Sequence, residues 1–175
     1  NGNLSCAVPG SVAGLFPLSQ YGKLPCKKLP PSAIDFAEKG LSTTQGAPSS
    51  FNYLRHLLKK YNTQLSAFEK DVPWKAGDML IQNDLANTLI RIRDKGAAGF
   101  YEGETARLIA EEMKRGGGII TENDLKNYKA IFRQPHVFKY KGYTIVGMPM
   151  PSSGGLLLHQ MMKMIEDRNI ALMGW

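Results

Sequence analysis

The stretch of the sequence best suited in residue type to chemistry is Pro151-Ser152-Ser153-Gly154-Gly155. A serine nucleophile needs a base that takes its proton and an exposed, strained turn such as Gly-x-Ser-x-Gly supplies. The order here is Pro-Ser-Ser-Gly-Gly, and no histidine or acid partner can be assigned. We therefore predict a structural role in which Pro151 ends a strand and Ser152 or Ser153 caps the next helix. Gly154 and Gly155 would let that helix begin close to another backbone. Anion binding by the free amides of this helix start remains an alternative.

Gly116-Gly117-Gly118 is a second stretch of interest because glycine-rich loops can bind phosphate. A P-loop requires a strand before its glycines, and Gly-Lys-Ser or Gly-Lys-Thr leading into a helix. The three glycines here follow a predicted helix, so we predict that they end it. A phosphate or nucleotide site at residues 116–118 or 152–155 is kept as an alternative.

Thr43-Thr44 raises the question of a threonine nucleophile released by self-cleavage, whose new α-amine serves as base. The pair lies in the polar segment STTQGAPSS, which we predict to be a loop. Acidic side chains are spread over separate elements at Glu38, Asp78, Glu102 and Glu111. Because no pair of them has a spacing that identifies acid–base work, we predict no complete catalytic constellation.

Metal and disulfide chemistry have little support in the sequence. Cys6 and Cys26 are too far apart for a Cys-x-x-Cys motif, and pairing or two free thiols both remain open. His56 and His159 fall in helical patterns and His136 in a strand pattern. We interpret all three histidines as isolated surface or core residues, and expect no metal site.

The charge is basic overall but is not concentrated in one segment. The 22 Lys and Arg residues exceed the 15 Asp and Glu residues, which gives a net charge of +7. The basic residues are scattered and no nucleic-acid motif accompanies them, so we predict a solvated surface and no nucleic-acid partner. No apolar run is long enough for a membrane span, and the N-terminal residues lack the order of a signal peptide.

Apolar periodicity and capping residues predict the elements that position these stretches. Helices are predicted in AVPGSVAGLFPLSQYGKLP, PPSAIDFAEKG, the stretch from Phe51 to Tyr61, LANTLIRIRDKG, GETARLIAEEMKRGGG, TENDLKNYKA and GGLLLHQMMKMIEDRNI. The helix in GETARLIAEEMKRGGG has a predicted apolar face of Ala106, Ile109, Ala110 and Met113, and VPWKAGDMLIQ predicts an extended passage with a turn at Ala76-Gly77. Helix caps are predicted at Ser32, at Ser49 or Ser50, at Asn83 or Asp84, and at Thr121, where Asp124 completes a capping box. The fold class is therefore α+β and rich in helix.

The C-terminal part has its own predicted pattern. HVFKYKGYTIVGMP predicts a hairpin joined at Lys141-Gly142, whose edges need further strands because a lone hairpin is unstable. The helix after it has a predicted buried stripe at Leu158, Met161, Met162 and Ile165. The residues alone thus define a scaffold without a site.

Six stretches, taken in their order along the chain, resemble the γ-glutamyltranspeptidase family. They are VPGSVAGL (8–15), YGKLP (21–25), AIDFAEKG (33–40), GDMLIQNDLANTLIRI (77–92), GAAGFYEGETARLIAEEMKRGGGIITENDLKNYKA (96–130) and YKGYTIVGMPMPSSGG (140–155). Each is weak alone, whereas the ordered set, which includes GFYEGE, GGIIT-x-x-DL and PSSGG, is specific. The match is loose between about residues 40 and 74.

The resemblance implies a part of a four-layer αββα sandwich of the N-terminal-nucleophile hydrolases. In that family one precursor cleaves itself into two subunits, and the Thr that begins the small subunit attacks a γ-glutamyl amide such as glutathione's. The acyl group then passes to water or to an amino acid. Residues 1–175 resemble one fragment of the large subunit, with a helical region at about 1–130 and a hairpin plus helix at about 131–175.

The same resemblance places the chemistry outside this chain. The arginine that grips the substrate lies upstream of VPGSVAGL in the family, and the nucleophilic Thr lies downstream of PSSGG. Ser152 and Ser153 match a large-subunit motif, so they do not inherit the role of the family's substrate-binding serine pair. Thr43-Thr44 precedes GFYEGE and cannot be the processed Thr.

The resemblance also implies a cellular context and partners. We expect no cofactor, the small subunit of the same precursor as partner, γ-glutamyl compounds as substrates, and a periplasmic or extracellular location. We expect the 175-residue chain alone to be inactive. The alternative from another class is a non-catalytic binding or scaffold module of the same fold.

Overall fold

The computed structural model describes residues 2–25, 31–62 and 66–174. Its helices are α1 (Ser11–Leu18), α2 (Pro31–Lys39), α3 (Gly46–Tyr61), α4 (Asn83–Lys95), α5 (Ala98–Tyr101), α6 (Gly103–Arg115), α7 (Glu122–Asn127) and α8 (Gly154–Ile165). Its strands are β1 (Leu41–Ser42), β2 (Met79–Leu80), β3 (His136–Tyr140) and β4 (Tyr143–Gly147). Short 3₁₀ turns lie at Asn3–Ser5, Ser19–Tyr21 and Ile170–Leu172. No helix in the described ranges is both long and apolar enough to cross a membrane.

The chain divides into two compact units, Asn1–Ala130 and Ile131–Trp175. The core of the first unit lies among α5, α6 and α7, and consists of Tyr101, Ala106, Ile120 and Leu125. On α6, the buried Ala106 and the half-buried Ile109, Ala110 and Met113 form the predicted apolar face, and the helix ends before Gly116 as predicted. The amphipathic pattern of this helix was therefore a reliable guide to its packing.

A second cluster of the first unit surrounds Trp74. The centroid of the Phe51 ring lies 5.3 Å from that of Trp74 and 5.4 Å from that of Phe68. The indole Nε1 donates to the Phe68 carbonyl at 2.8 Å, and Asn52 exchanges two hydrogen bonds with the Trp74 backbone. The tryptophan is buried with its only polar atom paired, which is what a buried indole requires.

The prediction of a loop over STTQGAPSS (42–50) is wrong for most of these residues. Ser42 lies in β1, which pairs antiparallel with β2, and Gly46 already begins α3. Pro48 falls in the first turn of α3, where its missing N–H costs nothing. The turn predicted at Ala76-Gly77 is confirmed, and it leads into β2.

Three of the predicted helix caps are wrong. Ser32 lies inside α2, which begins at Pro31, and Ser49 and Ser50 lie inside α3. Asn83 is the first residue of α4. The N-cap of that helix is Gln82, whose side chain makes no capping hydrogen bond. Proline in the first turn favours an earlier helix start in the first two cases.

The cap predicted at Thr121 is confirmed. The Asp124 amide donates to the Thr121 hydroxyl at 3.2 Å, and the Thr121 amide donates to the Asp124 carboxylate at 2.8 Å. Two amides that have no partner within the helix are thereby satisfied.

The second unit is a hairpin covered by one helix. His136 pairs with Gly147 and Tyr140 with Tyr143, and Lys141 and Gly142 both have positive φ, as a two-residue hairpin turn requires. The predicted hairpin is confirmed. Helix α8 packs on both strands.

The predicted buried stripe of α8 is partly wrong. Leu158 and Met161 are exposed, whereas Gly155 is buried and His159, Met162 and Ile165 are half-buried. The rotation of the helix is set by Gly155, which lies against β4, and this brings His159 rather than Leu158 to the strands.

Candidate functional site

The Ser152-Ser153 pair lies in the turn between β4 and α8. The strand ends at Gly147 and not at Pro151, and the Ser152 amide donates to the Pro149 carbonyl at 3.1 Å. Ser153 occupies the N-cap position of α8, but its hydroxyl makes no capping bond. In the part of the chain that the structure describes, neither serine hydroxyl bonds to a histidine or a carboxylate. The arrangement lacks the base that a serine nucleophile needs.

The glycines that follow the serines differ from each other. A Cβ on Gly155 would lie 2.6 Å from the Met148 carbonyl oxygen, and a Cβ on Gly147 would lie 2.9 Å from the Gly155 Cα. At Gly154 only the Ser152 Oγ lies near the Cβ position, at 3.8 Å. Backbone contact between α8 and β4 therefore occurs at Gly155, where any side chain would collide with backbone.

Gly116-Gly117-Gly118 ends α6 and receives the N-terminal turn. The Gly116 amide donates to the Glu112 carbonyl at 3.0 Å and the Gly118 amide to the Met113 carbonyl at 2.7 Å. The Asn3 Nδ2 also donates to the Glu112 carbonyl, at 2.8 Å, and the Asn3 side chain fills the space beside Gly116. These glycine amides are used within the chain, so they do not form a phosphate loop.

Thr43 serves as a structural residue. Its side chain is buried, its Oγ1 donates to the Lys75 carbonyl at 2.9 Å, and its amide donates to the Asp78 carbonyl at 2.9 Å. The hydroxyl is thus committed to holding the turn before β2, and no base contacts it among the described residues.

The predicted scatter of the acidic residues is observed, and two of these residues have basic partners. Asp78 accepts hydrogen bonds from the Lys70 ammonium and the Lys75 amide, which hold the pKa of its carboxyl below the usual range. Glu111 pairs with Arg107 on the exposed side of α6. Within residues 2–25, 31–62 and 66–174, no three His, Cys, Asp or Glu side chains gather as a metal site.

Tyr101 ties two of the motif stretches together. Its hydroxyl donates to the Pro9 carbonyl at 2.6 Å and accepts from the Ala13 amide at 3.1 Å. Its ring stacks on Tyr128 with centroids 5.8 Å apart, and burial raises the pKa of the phenol. Tyr101 therefore acts as a neutral anchor that fixes the segment before α1 on the core of the first unit.

His136 and His159 are the residues that the sequence analysis missed. They were interpreted as isolated, yet His136 Nε2 lies 3.0 Å from His159 Nδ1, and the His159 ring stacks on Phe138. A signal existed in the sequence: alternate strand residues 136 and 138 share a face, and residues 155 and 159 share a helix face. Once Gly155 is placed against β4, position 159 lies over the hairpin.

The structure describes one of the two cysteines. Cys6 is an exposed free thiol that lines a cleft of 540 Å³ together with Phe100, Leu108 and Met113. Cys26 lies outside the described residues, so its pairing with Cys6 stays a prediction.

The whole chain can be related to known proteins. The family model described as Gamma-glutamyltranspeptidase matches residues 1–174. The chain belongs to the γ-glutamyltranspeptidase family. The crystal structure of the Helicobacter pylori γ-glutamyltranspeptidase superposes with a TM-score of 0.92 at 36% identity, and the match covers 100% of this chain and 51% of that chain. The partial α+β fold of an N-terminal-nucleophile hydrolase is thereby confirmed.

Curated relatives agree with this family membership. The glutathione hydrolase proenzyme of Pseudomonas aeruginosa is 38% identical over 95% of this chain and 30% of its own length. The capsule biosynthesis protein CapD proenzyme of Bacillus anthracis is 38% identical over 93% of this chain and 30% of its own length. The chain thus spans about a third of the length of these relatives.

Proposed function

We propose that the chain is a central piece of the large subunit of a γ-glutamyltransferase or glutathione hydrolase. The observation that carries this proposal is the family match over residues 1–174, in a chain whose described residues contain no nucleophile paired with a base. The parent enzyme would cleave γ-glutamyl amides through a Thr that lies outside the chain. It would transfer the acyl group to water or to an amino acid, with the Thr amine as base and backbone amides for the oxyanion.

The role of the chain in that enzyme is to hold other parts in place. Tyr101 fixes the segment around Pro9. The arginine that binds the substrate would lie upstream of this segment in the sequence. Gly155 fixes α8 on β4. The residues Pro151, Ser152, Ser153, Gly154 and Gly155 would then be a scaffold motif without a catalytic or substrate-binding task.

The substrate assignment rests on chemistry shared across the family. Relatives named glutathione hydrolase and a relative named for capsule biosynthesis reach the same 38% identity to this chain. Identity alone therefore does not choose the acyl donor, and we favour γ-glutamyl amides such as glutathione. The partner would be the small subunit of the same precursor, because the relatives are named proenzymes. No cofactor is required by this chemistry.

The location proposed is the periplasm or the cell exterior, as is typical of the family. The exposed thiol of Cys6 would meet an oxidising environment there. Mass spectrometry of the protein recovered from its native compartment, with and without alkylation, would show whether Cys6 and Cys26 are paired.

The function is tested by comparing the 175-residue chain with the product of the full open reading frame. We expect the full-length product to cleave itself into two polypeptides and to release p-nitroaniline from γ-glutamyl-p-nitroanilide. We expect the 175-residue chain to release none. Turnover by the isolated chain that survives repurification would overturn the placement of the nucleophile.

A non-catalytic module of the same fold makes the opposite prediction for the full-length product. It would show neither self-cleavage nor turnover, although the chain would fold as described. A full-length variant with Ser152→Ala and Ser153→Ala separates the scaffold role from a catalytic one. We expect it to retain the ability to process itself and to turn over substrate.

A further inference from the structure

The second unit holds two imidazole rings in direct contact. His136 comes from β3 and His159 from α8, with 3.0 Å between His136 Nε2 and His159 Nδ1. Their ring centroids are 5.1 Å apart and the planes are inclined by 50°. Both side chains are half-buried, so the pair can be reached from solvent.

The rings are held in place by the hairpin. Phe138 lies two residues along β3 from His136, and its ring stacks on His159 with centroids 4.1 Å apart and planes within 10°. Helix α8 cannot shift freely, because Gly155 contacts β4 one turn before His159. The two nitrogens are therefore brought together by the fold and not by a chance meeting of flexible side chains.

We propose that His136 and His159 form a two-ligand site for a divalent transition metal of the Zn²⁺ class. Imidazole nitrogen is a ligand that zinc, copper and nickel favour, whereas calcium and magnesium prefer oxygen. With Zn–N bonds of about 2.0–2.1 Å, two nitrogens of a tetrahedral site lie about 3.3 Å apart. The observed 3.0 Å needs only a small opening of the pair.

The proton balance of binding is simple. Each neutral imidazole carries one N–H, and in the metal-free pair one ring donates its N–H to the other. When the metal takes His136 Nε2 and His159 Nδ1, the donating ring shifts its proton to its other nitrogen. Both rings stay neutral, and water fills the remaining coordination positions.

The site differs from a structural zinc site in its ligand number. No third His, Cys, Asp or Glu joins the pair in the part of the chain that the structure describes. We therefore expect reversible binding, weaker than that of a four-ligand site, and folding that does not require the metal.

The test is a calorimetric titration of the whole chain with ZnSO₄ in a non-chelating buffer at pH 7.5. Cys6→Ser and Cys26→Ser are present in every variant, because thiolates also bind zinc. We expect one zinc site, with an affinity that falls at least tenfold in His136→Gln and in His159→Gln. His56→Gln is the matched control and should bind zinc unchanged, since His56 also lies on a helix and its Nδ1 lies 3.0 Å from the Tyr53 carbonyl oxygen of its own turn.

A measurement on the chain with all three histidines intact guards against misfolding of a variant. Zinc should shift the imidazole C–H resonances of His136 and His159 in NMR spectra and leave those of His56 in place. Equal zinc affinity in His136→Gln and in the parent, or shifts confined to His56, would overturn the proposal.

Discussion

The two units of the chain bury their apolar residues to different degrees. In the unit Asn1–Ala130, Leu125 is 0% exposed and packs with the buried Tyr101 and Ala106. Among the described residues of the unit Ile131–Trp175, the buried large apolar residue is Phe138, at 6% exposure. Exposed apolar side chains of that unit include Val137, Tyr143, Val146, Met148, Met161 and Met164.

The difference indicates where each unit obtains its stability. The first unit encloses a core, and the polar side-chain atoms of Tyr101, Thr43 and Trp74 bond to its own backbone. It is therefore expected to hold its structure without help. The second unit leaves Val137 and Val146 on one hairpin face and several apolar side chains of α8 exposed. Extensive exposed apolar surface usually marks an interaction site, and we expect other parts of the parent protein to cover these side chains.

Removal of the central side chain of the first unit should have the largest effect. Leu125→Ala leaves a cavity in a fully enclosed position, and a loss of about 3 kcal/mol in the free energy of unfolding is typical of such changes. Urea denaturation followed by circular dichroism measures it. Ile119→Ala, at an exposed site nearby, is the control and should change little. Equal effects of the two changes would mean that the first unit has no enclosed core.

The next prediction concerns the polar anchor of the same unit. Tyr101→Phe keeps the ring in the core but removes the hydroxyl that bonds Pro9 and Ala13, which should cost about 1–3 kcal/mol. Hydrogen exchange should also rise at the Ala13 amide. Tyr53→Phe, at an exposed hydroxyl, should cost nothing measurable. No change in exchange at Ala13 would show that Tyr101 does not anchor the segment.

The capping box of α7 should give a smaller effect that depends on pH. Hydrogen bonds from the Thr121 hydroxyl and amide lower the pKa of the Asp124 carboxyl from its ordinary value of 3.8. A lowered pKa in the folded state adds stability above pH 3.8, and this stability is lost as the pH falls through the folded value. Asp124→Asn should therefore be less stable than the parent chain at pH 6, and the two should converge near pH 2.

The control for this pH dependence is Glu122→Gln, which removes a charge from the same turn without breaking the box. Glu122→Gln should retain most of the stability that the parent chain gains between pH 2 and pH 6. If the free energies of unfolding of Asp124→Asn and the parent chain differ by the same amount at pH 6 and at pH 2, the Asp124 carboxylate is not the source of the stability.

The sequence was informative for several features that local rules decide, although three of the predicted helix caps were wrong. The Thr121 box, the Lys141-Gly142 turn and the face of α6 follow from neighbouring residues alone, and they were predicted correctly. The early start of α3 was missed although Pro48 in its first turn favours it. The rotation of α8 depends on contacts with the hairpin, which periodicity does not record. The His136 and His159 contact was missed for the same reason, since it joins residues 23 positions apart through a backbone approach at Gly155.

The smallest effect is expected at the exposed apolar surface of the second unit, and it tests the comparison most directly. Met164 is 76% exposed, so Met164→Gln should change the unfolding free energy of the 175-residue chain by less than about 0.5 kcal/mol. In the full-length protein the same change should reduce the yield of folded protein, because the side chain would then be covered. Lys60→Gln, on the exposed end of α3 in the first unit, is the matched control and should be silent in both contexts. If Met164→Gln is silent in the full-length protein as well, then the exposed surface of α8 faces solvent there, and the second unit must be stabilised through its hairpin edges instead.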